Sequence, residues 1–193
     1  MTHFLYLVIA ILGISSYVVG IRDILHGVYS PSVFSRLVWM LISINSFAGV
    51  IISKGSTSSI VLVSVFLIGN MSIGLLSVWK GTRSIGKLEY ICMGLLFVSV
   101  FVWFFFYLPI LNLLIGLIAH FIGGLPTYKK VWTNPSGESS GFWSLFFFAS
   151  ALSVVAAGGQ PFSAIIFPLY FMLFDGSLWM LSLRGKDRYF MLK

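Results

Sequence analysis

Residues 124–143, G-L-P-T-Y-K-K-V-W-T-N-P-S-G-E-S-S-G-F-W, form the longest polar interruption in an otherwise apolar chain. They have an echo. A gapless shift of 104 places sets Gly20 on Gly124, Pro31 on Pro135, Ser32 on Ser136, Ser35 on Ser139 and Trp39 on Trp143. Continuing that register adds Leu41 on Leu145, Ser46 on Ser150 and Val50 on Val154. Leu and Val matches are cheap in so apolar a chain, but Pro-Ser-x-x-Ser-x-x-x-Trp at a fixed distance from a Gly is not. The spacing predicts an internal repeat.

Around this repeat, 193 residues that are 59% hydrophobic and 9% charged leave too little polar surface to cover a water-soluble globule. The chain is expected in a bilayer. A span needs about 20 mostly apolar residues. Seven stretches qualify, at about 3–21, 33–53, 58–79, 89–107, 109–125, 141–157 and 161–183, and they leave no room for a soluble domain. The first is read as a helix and not a secretory signal, because Met1-Thr2-His3 has no basic n-region and no A-x-A pattern follows. The single Cys92 cannot form an intrachain disulfide.

Basic residues test the count independently, since Lys and Arg collect in cytoplasmic loops. Arg22 and Arg36 border the first loop; Lys80, Arg83 and Lys87 fill the third; Lys129 and Lys130 lie in the fifth; Arg184, Lys186, Arg188 and Lys193 form the tail. Eleven of twelve bases thus fall on one side, with Lys54 opposite. The expected topology is N-terminus outside and C-terminus cytoplasmic, in the plasma membrane of a prokaryote. The charge of +7 is then accounted for by orientation and by contact with anionic lipid, and nucleic acid is not an expected partner.

Along the chain, helix one is expected to end near Gly20, with Asp23 and His26 in an interfacial loop. Asn70-Met71-Ser72 matches a glycosylation sequon but lies inside a span. The run Trp103-Phe104-Phe105-Phe106-Tyr107 reads as an aromatic belt at the outer interface. Pro109 turns the chain into helix five, which makes helices four and five antiparallel neighbours and gives the two repeats the same orientation. Helix five is expected to end at Gly123-Gly124, with Gly116 and Gly123 on one face permitting close packing or a homo-oligomer. The domain reading is a first three-helix bundle over 1–79, a loop and linker helix over 80–107, and a second bundle with a cytoplasmic tail over 108–193.

Asp175 is the one acid well inside a span. An ionised carboxylate in hydrocarbon is expensive, so intramembrane acids face a cavity or a partner and are functional candidates. With a one-residue shift in the repeat register, Asn70 meets Asp175 and Ser72 meets Ser177. Reflection through the helix turns sets Trp39 at the depth of Asn70 and Trp143 at the depth of Asp175. Each repeat would then offer an aromatic plate and a hydrogen-bonding group, and two such pairs could bind a small polar solute; the two Trp residues could equally be interfacial anchors. His120 is a second candidate for carrying a proton, or a packing histidine. Pro168, inside helix seven, predicts a kink or an open turn.

Other chemistries fall away. Gly137-Glu138-Ser139-Ser140-Gly141 fits a nucleophile-elbow pattern but enters a membrane helix and lacks the strand-turn-helix context. Cys and His do not cluster at metal-ligand spacing, helix seven has no Lys for a retinal Schiff base between Phe162 and Leu183, and there is no P-loop. Neither enzyme activity nor a cofactor is expected.

Pro126-Thr127-Tyr128-Lys129-Lys130, followed by Pro135-Ser136-x-Glu138-Ser139 and a new apolar helix, resembles the loop motif of PQ-loop proteins and SWEET sugar transporters. That resemblance implies an all-α membrane protein of seven transmembrane helices, two parallel three-helix bundles joined by a linker helix. It implies a pocket lined by a Trp of the second or sixth helix and an Asn of the third or seventh. Asn70 matches in type, and Asp175 has Asp for Asn. Thr127 stands where the family has Gln, Arg22-Asp23 stand where repeat one should have its Pro pair, and the hinge prolines of helices two and six are absent. Pro126 and Pro168 are the hinge candidates here. The function implied is alternating-access transport of a small polar solute, sugar-like, amino acid or vitamin, with Asp175 and His120 available for proton coupling. The rival reading is a non-transporting receptor or assembly factor using the loops 27–36 and 129–140.

Overall fold

Apolar runs separated by short polar breaks should fold as helices joined by tight turns, because a chain in an apolar medium must satisfy its backbone groups within each segment. The computed structural model describes residues 2–27, 31, 33–81, 83, 87–135 and 138–190, without the side chains of residues 2, 35, 88, 89, 103, 109, 126 and 185–190. The described residues form seven helices and no strand: α1 (Thr2–Leu25), α2 (Val33–Ile52), α3 (Thr57–Lys80), α4 (Lys87–Phe106), α5 (Pro109–Thr133), α6 (Ser140–Ala156) and α7 (Phe162–Phe190). Four stretches are long and apolar enough to cross a membrane, His3–Leu25, Thr57–Lys80, Ile110–Thr133 and Phe162–Arg184. The shorter apolar helices are Arg36–Ile52, Tyr90–Phe106 and Ser140–Ala156. On α1, Phe4, Leu7, Ile11, Ile14 and Val18, spaced three or four apart, are exposed, a continuous apolar face suited to hydrocarbon.

Local chemistry ends the helices. After α2, the Gly55 N–H donates to the Val50 carbonyl (2.8 Å) and the Lys54 N–H to that of Ile51 (3.2 Å), with Lys54 at φ 54°, a Schellman closure. Ser56 then caps α3 by accepting from the Ser59 N–H. Ser139, the central serine of the elbow-like pattern, caps α6 by accepting from the Phe142 N–H.

Three helices outrun their apolar stretches, correcting the boundaries expected from sequence. α1 passes Gly20 and continues to Leu25, carrying the buried Ile24. α5 does not stop at Gly123-Gly124 but continues through Pro126 to Thr133. Tyr128 Oη lies 3.3 Å from the Phe174 carbonyl and bonds Ser177 Oγ, and Val131 is fully buried, so tertiary packing outweighs the local breakers. α7 continues to Phe190, which makes the expected tail helical; the side chains of Lys186 and Arg188, and Lys193 as a whole, lie outside the described residues.

In the packing, α3 lies against both α1 and α2, and α7 against both α5 and α6. The two sets meet crosswise, α1 on α6 and α5 on α2, with α3 also touching α6 and α7. Exchanging α1, α2 and α3 for α5, α6 and α7 carries α1 on α6 into α5 on α2, whereas α3 on α6 has no comparable contact of α7 on α2. α4 packs on α5 and on α2. A buried polar chain fixes it there: Asn45 Nδ2 donates to Ser99 Oγ (3.0 Å), which bonds the Asn112 carbonyl (3.0 Å) and Asn112 Oδ1. Elsewhere, serine hydroxyls hold neighbouring helices through carbonyls, Ser16 to Phe142 (2.7 Å) and Ser58 to Ser153 (3.0 Å).

Pro168 lies inside a helix that runs continuously past it. Lacking an N–H, it frees the carbonyl of Ala164 one turn earlier. Ser59 Oγ of α3 donates to that carbonyl at 2.7 Å, so the broken helix bond is replaced from a neighbouring helix. Ser59→Ala should lower stability by about 1 kcal/mol. Ser64→Ala, which removes only a bond to its own helix at the Ile60 carbonyl, should cost less. Thermal unfolding in detergent compares the two.

Candidate functional site: a closed aromatic cleft

The crosswise contact brings repeat-related residues face to face. Trp39 and Trp143 from α2 and α6, and Asn70 and Asp175 from α3 and α7, line one cleft. Phe66 and Phe171, also 105 residues apart, join them, with ring centroids 4.2 Å from each other. Tyr17 and His120 line the same space. Trp39, Asn70, His120, Trp143 and Asp175 are only 2–6% exposed. The void is about 20 Å³, room for about one water. The conformation is therefore closed, and a solute fits only after the helices part.

Most polar groups of the lining are already committed. Asn70 Nδ2 donates to Ser43 Oγ (2.7 Å), whose hydroxyl donates to the Trp39 carbonyl (2.8 Å); this ties α3 to the turn of α2 that carries the indole. Tyr17 Oη donates to the Phe66 carbonyl at 3.2 Å. His120 stacks on Trp39, with centroids 4.9 Å apart and planes at 21°, and its Nδ1 lies 3.0 Å from Tyr170 Oη. The Arg36 guanidinium lies over the Trp39 ring, 4.8 Å from its centroid. Trp39 is thus held by a histidine and an arginine of the protein itself.

Among the polar atoms of the lining, Trp39 Nε1, Trp143 Nε1 and Asp175 Oδ2 are buried without a hydrogen-bond partner. Trp39 Nε1 faces Gly123, where an added Cβ would come within 2.8 Å of it; the glycine lets the indole edge approach α5. Among the described residues no base forms an ion pair with Asp175. Burying a carboxylate this way costs several kcal/mol (~) unless something compensates it.

Arg36, Phe142 and Trp143 also line a second cleft, with Gly20, Glu138 and Ser139. These three side chains lie between the aromatic cleft and the end of the bundle where α5 connects to α6. Lys130 Nζ and Glu138 Oε1 pair at 2.8 Å at that end.

Residues 39, 70, 120, 143 and 175 therefore share one cleft, and Pro168 lies in α7 seven residues before Asp175. Pro126 lies within α5, its side chain outside the described set. Arg36, read from sequence as a base bordering the first loop, lies in the first turns of α2 and is buried there, with its guanidinium over the Trp39 face. Phe66 and Phe171 were missed by sequence reasoning, although the one-residue shift that pairs Asn70 with Asp175 pairs them too. Tyr17 had no sequence signal. Among the described residues no three His, Cys, Asp or Glu side chains converge as metal ligands.

Compared with protein-family models, curated proteins and solved structures, the chain has no match in any of the three. The class rests on the molecule itself: an all-helical protein with several membrane-length apolar helices around one closed, aromatic, singly acidic cleft.

Proposed function

We propose that this is a seven-span membrane protein of two parallel three-helix units joined by α4, and that it carries a small polar solute by alternating access through the cleft between the units. Supporting the architecture, the three shorter apolar helices reach about the 17-residue lower limit for a span, and the contacts of α1 with α6 and of α5 with α2 exchange when the two sets are swapped. The observation that carries the function is the convergence of three repeat-related pairs, Trp39 with Trp143, Asn70 with Asp175 and Phe66 with Phe171, on one buried cleft. Internal repeats that meet at a midplane site are the architecture of secondary transporters.

In this reading Asp175 binds solute or proton, His120 orients Trp39, and the wall of Arg36, Phe142 and Trp143 separates the cleft from one side of the membrane. Pro168 supplies the weak point in α7, since its turn is held by a single side-chain bond from Ser59. The N-terminus lies outside and the basic C-terminal end faces the cytoplasm.

The full chain in liposomes should give saturable flux of a solute, and Asp175→Asn should reduce it by about tenfold or more with folding retained, as for removal of a buried charged contact of 1.4 kcal/mol or greater (~). Absence of flux for every solute class, together with a partner cross-linked through residues 129–140, would overturn transport in favour of a receptor.

A further inference from the structure

We infer that the solute is a small organic ammonium compound, its cationic nitrogen held by Asp175 and its alkyl groups packed against the aromatic rings of the cleft; this rests on the solute-binding reading above.

The inventory of free groups decides the class. A neutral polyol needs several donors and acceptors around it, but Tyr17 Oη, His120 Nδ1 and Asn70 Nδ2 are already bonded to the Phe66 carbonyl, Tyr170 and Ser43. Trp39 Nε1 is turned against Gly123. Asp175 Oδ2 and Trp143 Nε1 are buried in the lining without a hydrogen-bond partner. One acceptor that can carry charge and one weak donor are a poor match for a ring of hydroxyls, whose unpaired oxygens would each add a desolvation penalty.

The same inventory suits an ammonium ion. Asp175 is 2% exposed and forms no ion pair among the described residues, so a buried cation compensates its charge without demanding further hydrogen bonds. The surrounding walls are ring faces and edges, Tyr17, Phe171, Phe174 and Trp143. Aromatic faces attract cations, and a quaternary or alkylated ammonium suits them because its methyl groups need no acceptors. Arg36, which also lines the cleft, lies over Trp39 in the wall shared with the second cleft and forms no ion pair with Asp175.

The test is thermal stability of the purified full chain with tetramethylammonium, glycine betaine, glucose and acetate, since a ligand of the folded state raises apparent stability. Tetramethylammonium and glycine betaine should each raise the melting temperature while glucose and acetate do not. Asp175→Asn should weaken the ammonium response by about tenfold or more in apparent Kd, and Asp175→Glu, which keeps the charge, should retain part of it. Stabilisation by glucose with none by either ammonium, measured on the unmodified protein, overturns the inference while leaving transport intact. An ammonium response unchanged in folded Asp175→Asn overturns it as well. Ammonium binding at Asp175 with no flux of either ammonium in liposomes would uphold the inference and sink the transport reading.

Discussion

Gly69→Ala should unfold or severely loosen the helix pair α1 and α3. A Cβ built on Gly69 would lie 2.0 Å from Tyr17 Cδ2 and 2.1 Å from Cε2, inside the body of the ring and not at a flexible tip. The ring cannot retreat easily: Phe66, Phe142 and Phe146 surround it edge-on, the last with centroids 4.8 Å away, and its hydroxyl is bonded to the Phe66 carbonyl. Overpacking in a rigid site costs about 1–3 kcal/mol, occasionally more, and the pinned ring argues for the upper end. Denaturation in mixed micelles should show it as a loss of folded protein. The double variant Gly69→Ala with Tyr17→Leu should recover part of that loss, since residues in contact are not additive. A Gly69→Ala protein within about 0.5 kcal/mol of the parent would show that the two helices do not approach this closely.

Phe146→Ala should be comparably damaging by the opposite route. Phe146 of α6 is 1% exposed, stacks on Phe66 at 4.7 Å and 18°, and meets Tyr17 and Phe142 edge-on. Its ring therefore joins α1, α3 and α6 at the base of the cleft. Truncating a buried Phe costs about 3–5 kcal/mol when the surroundings cannot collapse, and here the adjoining space is already void. Phe146→Leu should retain most of the stability. In whatever fraction of Phe146→Ala protein folds, the cleft should be larger, and solute response should change in specificity before it disappears.

Much of the architecture is legible in the chain. Seven apolar runs with short breaks between them yield seven helices, because a continuous apolar segment has no better way to pair its backbone. Breaker clusters such as Lys54-Gly55-Ser56 mark turns whose chemistry is local, a Schellman closure followed by a serine cap. Helix ends governed by long-range packing are not legible: nothing near Pro126 announces that Tyr128 and Val131 will be held by α7 and the core.

The candidate site divides in the same way. Trp39, Asn70, Trp143 and Asp175 are marked in sequence by the repeat and by a lone acid in a span, and they line one cleft. Which of their atoms stay free is invisible there, because it depends on neighbours far along the chain. His120 and Arg36 occupy the Trp39 ring, Ser43 takes the Asn70 amide, and Asp175 keeps an oxygen without a partner.

By itself, then, the sequence determined the helical class and the membrane-length segments, since hydrophobic periodicity and composition act on each segment separately. The tertiary structure alone decided the pairing of α1 with α6 and α2 with α5, the replacement of the Pro168 bond by Ser59, the burial of Arg36 and the closure of the cleft to the size of a water. Most of those depend on groups far apart in the chain, such as the Ser59 hydroxyl and the Ala164 carbonyl, finding each other, and no local rule encodes that distance.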